Sequence, residues 1–199
     1  MSKKKIAIQG ELGAYSHIAA ENLYKDSEIK TCTTFEETFK QAYNDPSYKI
    51  VIPIENSLAG RVADIHYLLP KYKLQIHGEH FQAVEHNLLC KPDATISDIK
   101  FVRSHAQAIG QCQNLITKKN FKPIISADTA GSAKDLAEGK DKTIAAIASE
   151  LSAKIYNLKI LEKNIEDEKG NVTRFLIMGK NIEQPEFKKE KKFITSCIF

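Results

Sequence analysis

The chain reads as an α/β protein built as two lobes. Apolar runs of strand length alternate with amphipathic stretches of helix length, this series occurs twice, and a long extended segment from Leu74 to Leu89 joins the two. Strand–helix alternation implies α/β layers around mostly parallel sheets. Ligands of such sheets bind outside the carboxyl ends of the strands, where strand gives way to helix.

In the first series Lys5 to Gln9 is a strand, and Ser16 to Tyr24 is a helix that Ser16 can cap. A strand near Ile29 to Cys32 follows. Thr34 and Glu37 then have capping-box spacing, and Phe35, Phe39, Ala42 and Tyr43 give that helix one apolar stripe. Ile50 to Ile54 is a third strand, with Pro53 expected at its end because proline cannot donate to a ladder. Val62, Ile65, Leu68 and Leu69 mark a helix stopped by Pro70. The second series opens with a strand at Lys100 to Arg103 and one helix carrying Ile109, Cys112, Leu115 and Ile116 on a face. A strand at Pro123 to Ala127, a helix opened by Asp128, a strand at Thr143 to Ala148 and a helix from Ser149 to about Asn157 come next. Leu158 to Ile165 and Val172 to Gly179 close the pattern.

Composition narrows the function classes. No apolar run nears the roughly 20 residues of a membrane helix. Only Ile6 to Ile8 is apolar behind the basic start, too little for a signal peptide, so a cytoplasmic chain that does not act at a membrane is expected. The net charge of +4 comes largely from Lys3 to Lys5 and from Lys188, Lys189, Lys191 and Lys192. No basic stripe is interleaved with aromatic residues, so nucleic acid is not an expected partner. Cys32, Cys90, Cys112 and Cys197 form no C-x-x-C pair and read as free thiols. The histidines are scattered, and no metal is expected. Of 29 lysines and arginines only Arg61, Arg103 and Arg174 are arginine. Each lies by one of the motifs below, where a guanidinium's fixed fork suits a carboxylate. The plain alternative is chance in a lysine-rich composition.

Four polar motifs fall at strand-to-helix turns or on the last strand. Gly10-Glu11-Leu12-Gly13-Ala14-Tyr15-Ser16 combines a tight turn with a helix start, where an anion can sit, although its glycine spacing is not that of a dinucleotide site. In Pro53-Ile54-Glu55-Asn56-Ser57 a buried strand ends in three adjacent polar side chains, which suits either a site or an Asn/Ser turn. Arg103-Ser104-His105-Ala106-Gln107-Ala108 contains an S-x-x-Q capping box that would engage both side chains, and a helix start favours a neutral His105. In Asn171-Val172-Thr173-Arg174-Phe175, strand alternation puts Thr173 and Phe175 on one face and Arg174 on the other.

Together with Asp128-Thr129-Ala130, these motifs stand in the order and rough spacing of the prephenate dehydratases, which the chain resembles from about residue 5 to 180. Asn-x-Thr-Arg-Phe is the most telling of them. Ala106 stands where the family often has proline, a change that should affect loop stiffness more than chemistry.

The resemblance implies a two-lobed, type II periplasmic-binding-protein-like fold with the active site in the inter-lobe cleft. The catalytic domain would span 1–180, with lobe one at about 1–77 plus 171–180 and lobe two at about 78–170. Residues 181–199 would be a linker and the first strand of an ACT-like regulatory domain cut short. The implied reaction turns prephenate into phenylpyruvate, CO2 and water without a cofactor. The implied catalytic residues are Thr173, Ser104, Gln107, Glu55 and Asn56, with Thr173 at the leaving hydroxyl. Ser57, Arg174, Phe175, Ser16, His105 and Thr129 would bind substrate, with Arg174 either touching it or bracing its strand. The resemblance further implies a homodimer, with phenylalanine as effector only where a full ACT domain is present. An arogenate dehydratase and a non-catalytic small-acid binder are the alternatives.

Overall fold

The computed structural model describes residues 3–181. Most of the expected linker and regulatory strand at 181–199, and Cys197, lie outside them. In chain order the elements are β1 (Lys5–Gln9), α1 (Tyr15–Leu23), β2 (Glu28–Cys32), α2 (Phe35–Asn44), β3 (Tyr48–Asn56), β4 (Gly60–Arg61), α3 (Ala63–Tyr72) and β5 (Gln75–Ala83). Then come β6 (Asn87–Cys90), β7 (Phe101–His105), α4 (Ala106–Gly110), α5 (Gln113–Lys118), β8 (Lys122–Ser126) and α6 (Thr129–Glu138). β9 (Ile144–Ala148), α7 (Glu150–Ile155), β10 (Lys159–Glu162) and β11 (Val172–Gly179) complete the chain.

These form two sheets, hence two lobes. One has the order β2-β1-β3-β11-β5 with β4 on the end of β3, and the other β10-β6-β9-β7-β8. Each has a parallel centre, β2-β1-β3 or β9-β7-β8, joined to antiparallel strands, so the sheets are mixed rather than mostly parallel. Alternate residues of a strand face opposite sides, and both sides are buried. In β1, Ile6 and Ile8 pack with Ala19, Ala20 and Phe175, while Ala7 packs with Phe39, Ile50 and Ile65. In the second lobe Leu88 and Cys90 face one cluster and Leu89 faces another. Each lobe is therefore a sheet between two helical layers.

The extended segment from Leu74 divides between the lobes. β5 stays in the first sheet up to Ala83, so lobe one extends beyond the expected boundary near residue 77. Val84 to His86 crosses over, and the chain returns between β10 and β11, where β11 pairs into the first sheet.

Several local expectations need correction. Pro53 lies inside β3, which continues to Asn56; the register with β11 shifts between Arg174 and Phe175, from Glu55 to Pro53, so a bulge takes up the missing donor. α3 runs through Pro70 to Tyr72 and ends at Lys73, which has a left-handed φ of 48°. The single helix expected after β7 is two, because Asp167 accepts from the N–H groups of Gln113 and Asn114 and starts α5 afresh. Ser16 does not cap α1: the helix begins at Tyr15, and the Ser16 hydroxyl donates to the Gln9 carbonyl at 3.2 Å. The Thr34 cap is present, but Glu37 reaches back to the N–H of Thr33 rather than that of Thr34.

Candidate active site

A cavity of about 390 Å³ opens between the lobes, at the carboxyl ends of the strands. Lobe one contributes Gln9, Gly10 and Ala14 to Ser16 from the β1–α1 turn, Asn56 from the end of β3, and Thr173 and Phe175 from β11. Lobe two contributes His105 from the end of β7, Gln107 and Ala108 from α4, Gln111 from the far end of that helix, and Ala127 to Thr129 from the β8–α6 turn. Val84, His86 and Asn171, at the two crossovers, line it as well.

Of the residues singled out from sequence, Thr173, Asn56, Gln107, Phe175, Ser16, His105 and Thr129 thus share one cavity. Ser104, Glu55, Ser57 and Arg174 do not line it, each for a local reason. Ser104 is fully buried within β7 and donates to the Ile147 carbonyl at 2.7 Å, so neither the capping box nor a cleft position applies to it. His105 caps α4 instead, its Nδ1 accepting from the Gln107 N–H at 3.3 Å. Glu55 is exposed and faces Arg61 in the β3–β4 ladder, because alternation turns it away from its neighbour Asn56. The Ser57 hydroxyl donates to the Gly170 carbonyl at 3.2 Å and accepts from the Val172 N–H at 3.0 Å, fastening the approach to β11. Arg174 points away from Thr173 and holds Glu79 Oε2 with Nε at 2.7 Å and Nη2 at 2.6 Å. It braces β11 against β5.

Asn56 is the best-determined side chain of the site. Its Oδ1 accepts from the N–H groups of Leu58 at 3.0 Å and Ala59 at 2.9 Å, which fixes the amide's orientation. Nδ2 must then face β11, where it donates to Asn171 Oδ1 at 2.6 Å and to Thr173 Oγ1 at 2.9 Å. A threonine hydroxyl that accepts from Asn56 keeps its own proton for another partner. Thr173 is 8% exposed, and that exposure opens on the cavity.

The network continues to the crossovers. Asn171 Nδ2 donates to Gln111 Oε1 at 3.0 Å, and His86 Nε2 meets the same oxygen at 2.9 Å. His86 Nδ1 lies 3.0 Å from the Tyr15 hydroxyl, whose single proton is shared between that nitrogen and the Glu85 carbonyl at 2.6 Å. Burial lowers the His86 pKa, so the ring is neutral, with its proton on Nε2 toward Gln111. Burial likewise drives the Tyr15 phenol well above its ordinary value and keeps it a donor.

Sequence reasoning gave no role to Gln111, His86 or Tyr15. Gln111 was hidden by the continuous-helix reading, and His86 stands in a crossover with no periodicity. Tyr15 was visible only as one letter of a turn motif.

The electrostatics are equally specific. Among the described residues no lysine or arginine lines the cavity, and Asp128 is the one acidic residue that does. Besides Arg174, Arg103 pairs with Asp135 at 3.3 Å, and Arg61 lies exposed on β4. What the cavity offers an anion is the helix starts of α1 and α4, whose first N–H groups have no backbone partner within the helix, whereas the start of α6 already carries the Asp128 carboxylate.

The family model for prephenate dehydratase matches residues 6–183. The chain belongs to this family. It is 41% identical over 175 residues to a bifunctional N-acyl-homoserine lactone acylase/prephenate dehydratase of Komagataeibacter europaeus, covering 88% of the chain and 62% of the relative. It is 40% identical over 198 residues to the chloroplastic arogenate dehydratase/prephenate dehydratase 2 of Arabidopsis thaliana, covering 100% of the chain and 51% of the relative. Among solved structures, a prephenate dehydratase from Arthrobacter aurescens in complex with L-Phe superposes with a TM-score of 0.84 at 26% identity, over 92% of this chain and 63% of that one. The chain thus spans between half and two thirds of the length of these relatives, and its two-lobed α/β fold is that of the prephenate dehydratases.

Proposed function

We propose that the chain is a prephenate dehydratase, converting prephenate to phenylpyruvate, CO2 and water. In this reaction the bond from the ring to its carboxylate breaks, and the electron pair enters the ring. The C–O bond on the opposite side of the ring breaks, hydroxide leaves with its pair, and a proton makes it water. Aromatisation drives the change, so the protein must position the substrate and assist the leaving group.

The observation that carries the reading is the orientation of Thr173. Asn56 donates to Thr173 Oγ1, so the hydroxyl proton is available to the cavity, where it can hydrogen-bond the departing hydroxide. The lining formed by the described residues, which holds no lysine or arginine, fits the same chemistry. A cation held against the reacting carboxylate would stabilise charge that the transition state disperses. Helix N-termini hold anions more gently and suit the carboxylate that stays.

The direct test is prephenate turnover at neutral pH, with phenylpyruvate read as its alkaline enolate against a no-enzyme control. Product well above the control supports the reading. Tight prephenate binding without product refutes it and favours a small-acid binder. The reading extends to a cytoplasmic homodimer, with phenylalanine as effector only where a complete ACT domain follows. Sedimentation and phenylalanine titration of the full-length protein test those two points.

A further inference from the structure

His86 stands on the first crossover, 2% exposed, and its polar atoms are all engaged. Its N–H donates to Glu166 Oε2 at 2.9 Å, and its carbonyl accepts from the Ile165 N–H at 2.9 Å, so the second crossover holds its backbone in place. It also lines the cavity.

The polarity of the ring's own bonds follows from Asn56. The Leu58 and Ala59 N–H groups fix Asn56 Oδ1, Asn56 Nδ2 donates to Asn171 Oδ1, and Asn171 Nδ2 therefore donates to Gln111 Oε1. An amide oxygen only accepts, so His86 Nε2, 2.9 Å from the same oxygen, carries the ring's proton. Nδ1 is left to accept from the Tyr15 hydroxyl at 3.0 Å. Gln111 Oε1 thus takes one donor from each crossover, which uses both of its lone pairs.

The other end of that amide is free for a ligand. Gln111 lines the cavity, and no described residue pairs with its Nε2. A glutamine amide otherwise turns readily about its last torsion. Turned over, it would present an oxygen, which repels an anion. Held as it is, it presents two N–H groups in a lining whose described residues include no lysine or arginine.

We propose that His86 is a positioning residue for the dehydratase reaction, holding the Gln111 amide so that Nε2 donates to a substrate carboxylate. This rests on the dehydratase reading. His86 acts through Gln111 and takes no part in proton transfer, and the leaving-group chemistry stays at Thr173.

The test is a double-mutant cycle on kcat/KM for prephenate, with His86→Leu, Gln111→Met and the two combined, beside His86→Gln. His86→Leu is expected to lose about tenfold, the scale of one hydrogen bond. His86→Gln, whose amide nitrogen can replace Nε2 as donor, should stay within about threefold of the wild type. On top of Gln111→Met, His86→Leu should cost less than about twofold, because the two residues act as one. Losses that multiply, or a His86→Leu protein as active as the wild type, overturn the proposal. A merely structural ring predicts that activity follows melting temperature. Leucine is cheaper to bury than glutamine, so a glutamine variant that melts no higher yet works better separates the two roles. Nitrogen-15 shifts of the wild-type ring give a check that needs no variant to fold: Nε2 should be protonated and Nδ1 bare, and the reverse tautomer overturns the proposal. A wild type that turns over no prephenate refutes the dehydratase reading itself. Calorimetric affinity for prephenate then replaces kcat/KM in the same cycle, with the same pattern expected and the same outcomes against it.

Discussion

Replacing Gly13 with alanine should loosen the seam that joins the lobes beside the cavity. Gly13 has a φ of +90°, and a Cβ there would lie 2.4 Å from Ser152 Oγ and 2.8 Å from Ser152 Cα. The serine hydroxyl can rotate away, but the backbone of α7 cannot. The Gly13 carbonyl accepts from Ser149 Oγ at 2.6 Å and Ser152 Oγ at 3.1 Å, and the Tyr156 hydroxyl donates to the Leu12 carbonyl at 3.0 Å. Left-handed backbone costs alanine about 1–2 kcal/mol, and overpacking adds about 1–3 kcal/mol. If the loop swings away instead, two buried hydrogen bonds are lost at about 1 kcal/mol each. The expected destabilisation is about 2–5 kcal/mol, or a fall in melting temperature of about 5–20 °C for a domain of this size. Because Gly10 and Ala14 of the same loop line the cavity, KM should rise as well. Gly170→Ala is the control: its φ is +85° with no atom within 4 Å of the added Cβ, so only the backbone term applies. Thermal unfolding of both variants by circular dichroism separates the terms. Equal melting temperatures for the two would refute the steric part, and a Gly13→Ala protein as stable as the wild type would refute the seam.

Two further predictions concern the network behind Thr173. Burial lowers the pKa of His86 and His17, so the unfolded chain takes up protons before the folded one does. Their contribution to stability is therefore complete above about pH 6.5 and declines as pH falls, by up to about 1.4 kcal/mol per pH unit for each group. His86→Gln should make the fall in melting temperature between pH 6.5 and 5 shallower, and an unchanged slope would contradict a buried neutral ring. Asn56→Asp keeps the acceptor for the Leu58 and Ala59 N–H groups but cannot donate to Thr173 or Asn171. Leaving those groups unmatched costs about 1–3 kcal/mol, so kcat should fall about tenfold to a hundredfold; steady-state kinetics returning the wild-type kcat would remove Asn56 from the account.

The sequence made the strand–helix alternation legible because both sheets are covered on two sides. Their strands are short continuous apolar runs such as Ile6 to Ile8 and Ile50 to Ile52, all fully buried. The limits of β3 and α3 were less visible, because tertiary contacts carry the chain past Pro53 and Pro70. Strand alternation correctly separated Thr173 and Phe175 from Arg174, since the period of two survives a bulge on the partner strand. Ser104 and Ser57 looked like cleft residues because they neighbour cleft residues, whereas their hydroxyls satisfy backbone groups of Ile147, Gly170 and Val172. The link from Asn56 through Asn171 and Gln111 to His86 joins residues far apart in the chain, and local spacing carries no trace of it.

The central claim is that the Thr173 hydroxyl, oriented by Asn56, assists departure of the substrate hydroxyl. The most direct test is kcat for prephenate in Thr173→Val, which keeps the shape and removes the hydroxyl, beside Thr173→Ser, which keeps the hydroxyl. The account predicts a loss of about 10²–10⁴-fold in the valine variant, the range for proton transfer by a positioned side chain, and retention within about tenfold in the serine variant. A valine variant within a few-fold of the wild type would contradict it.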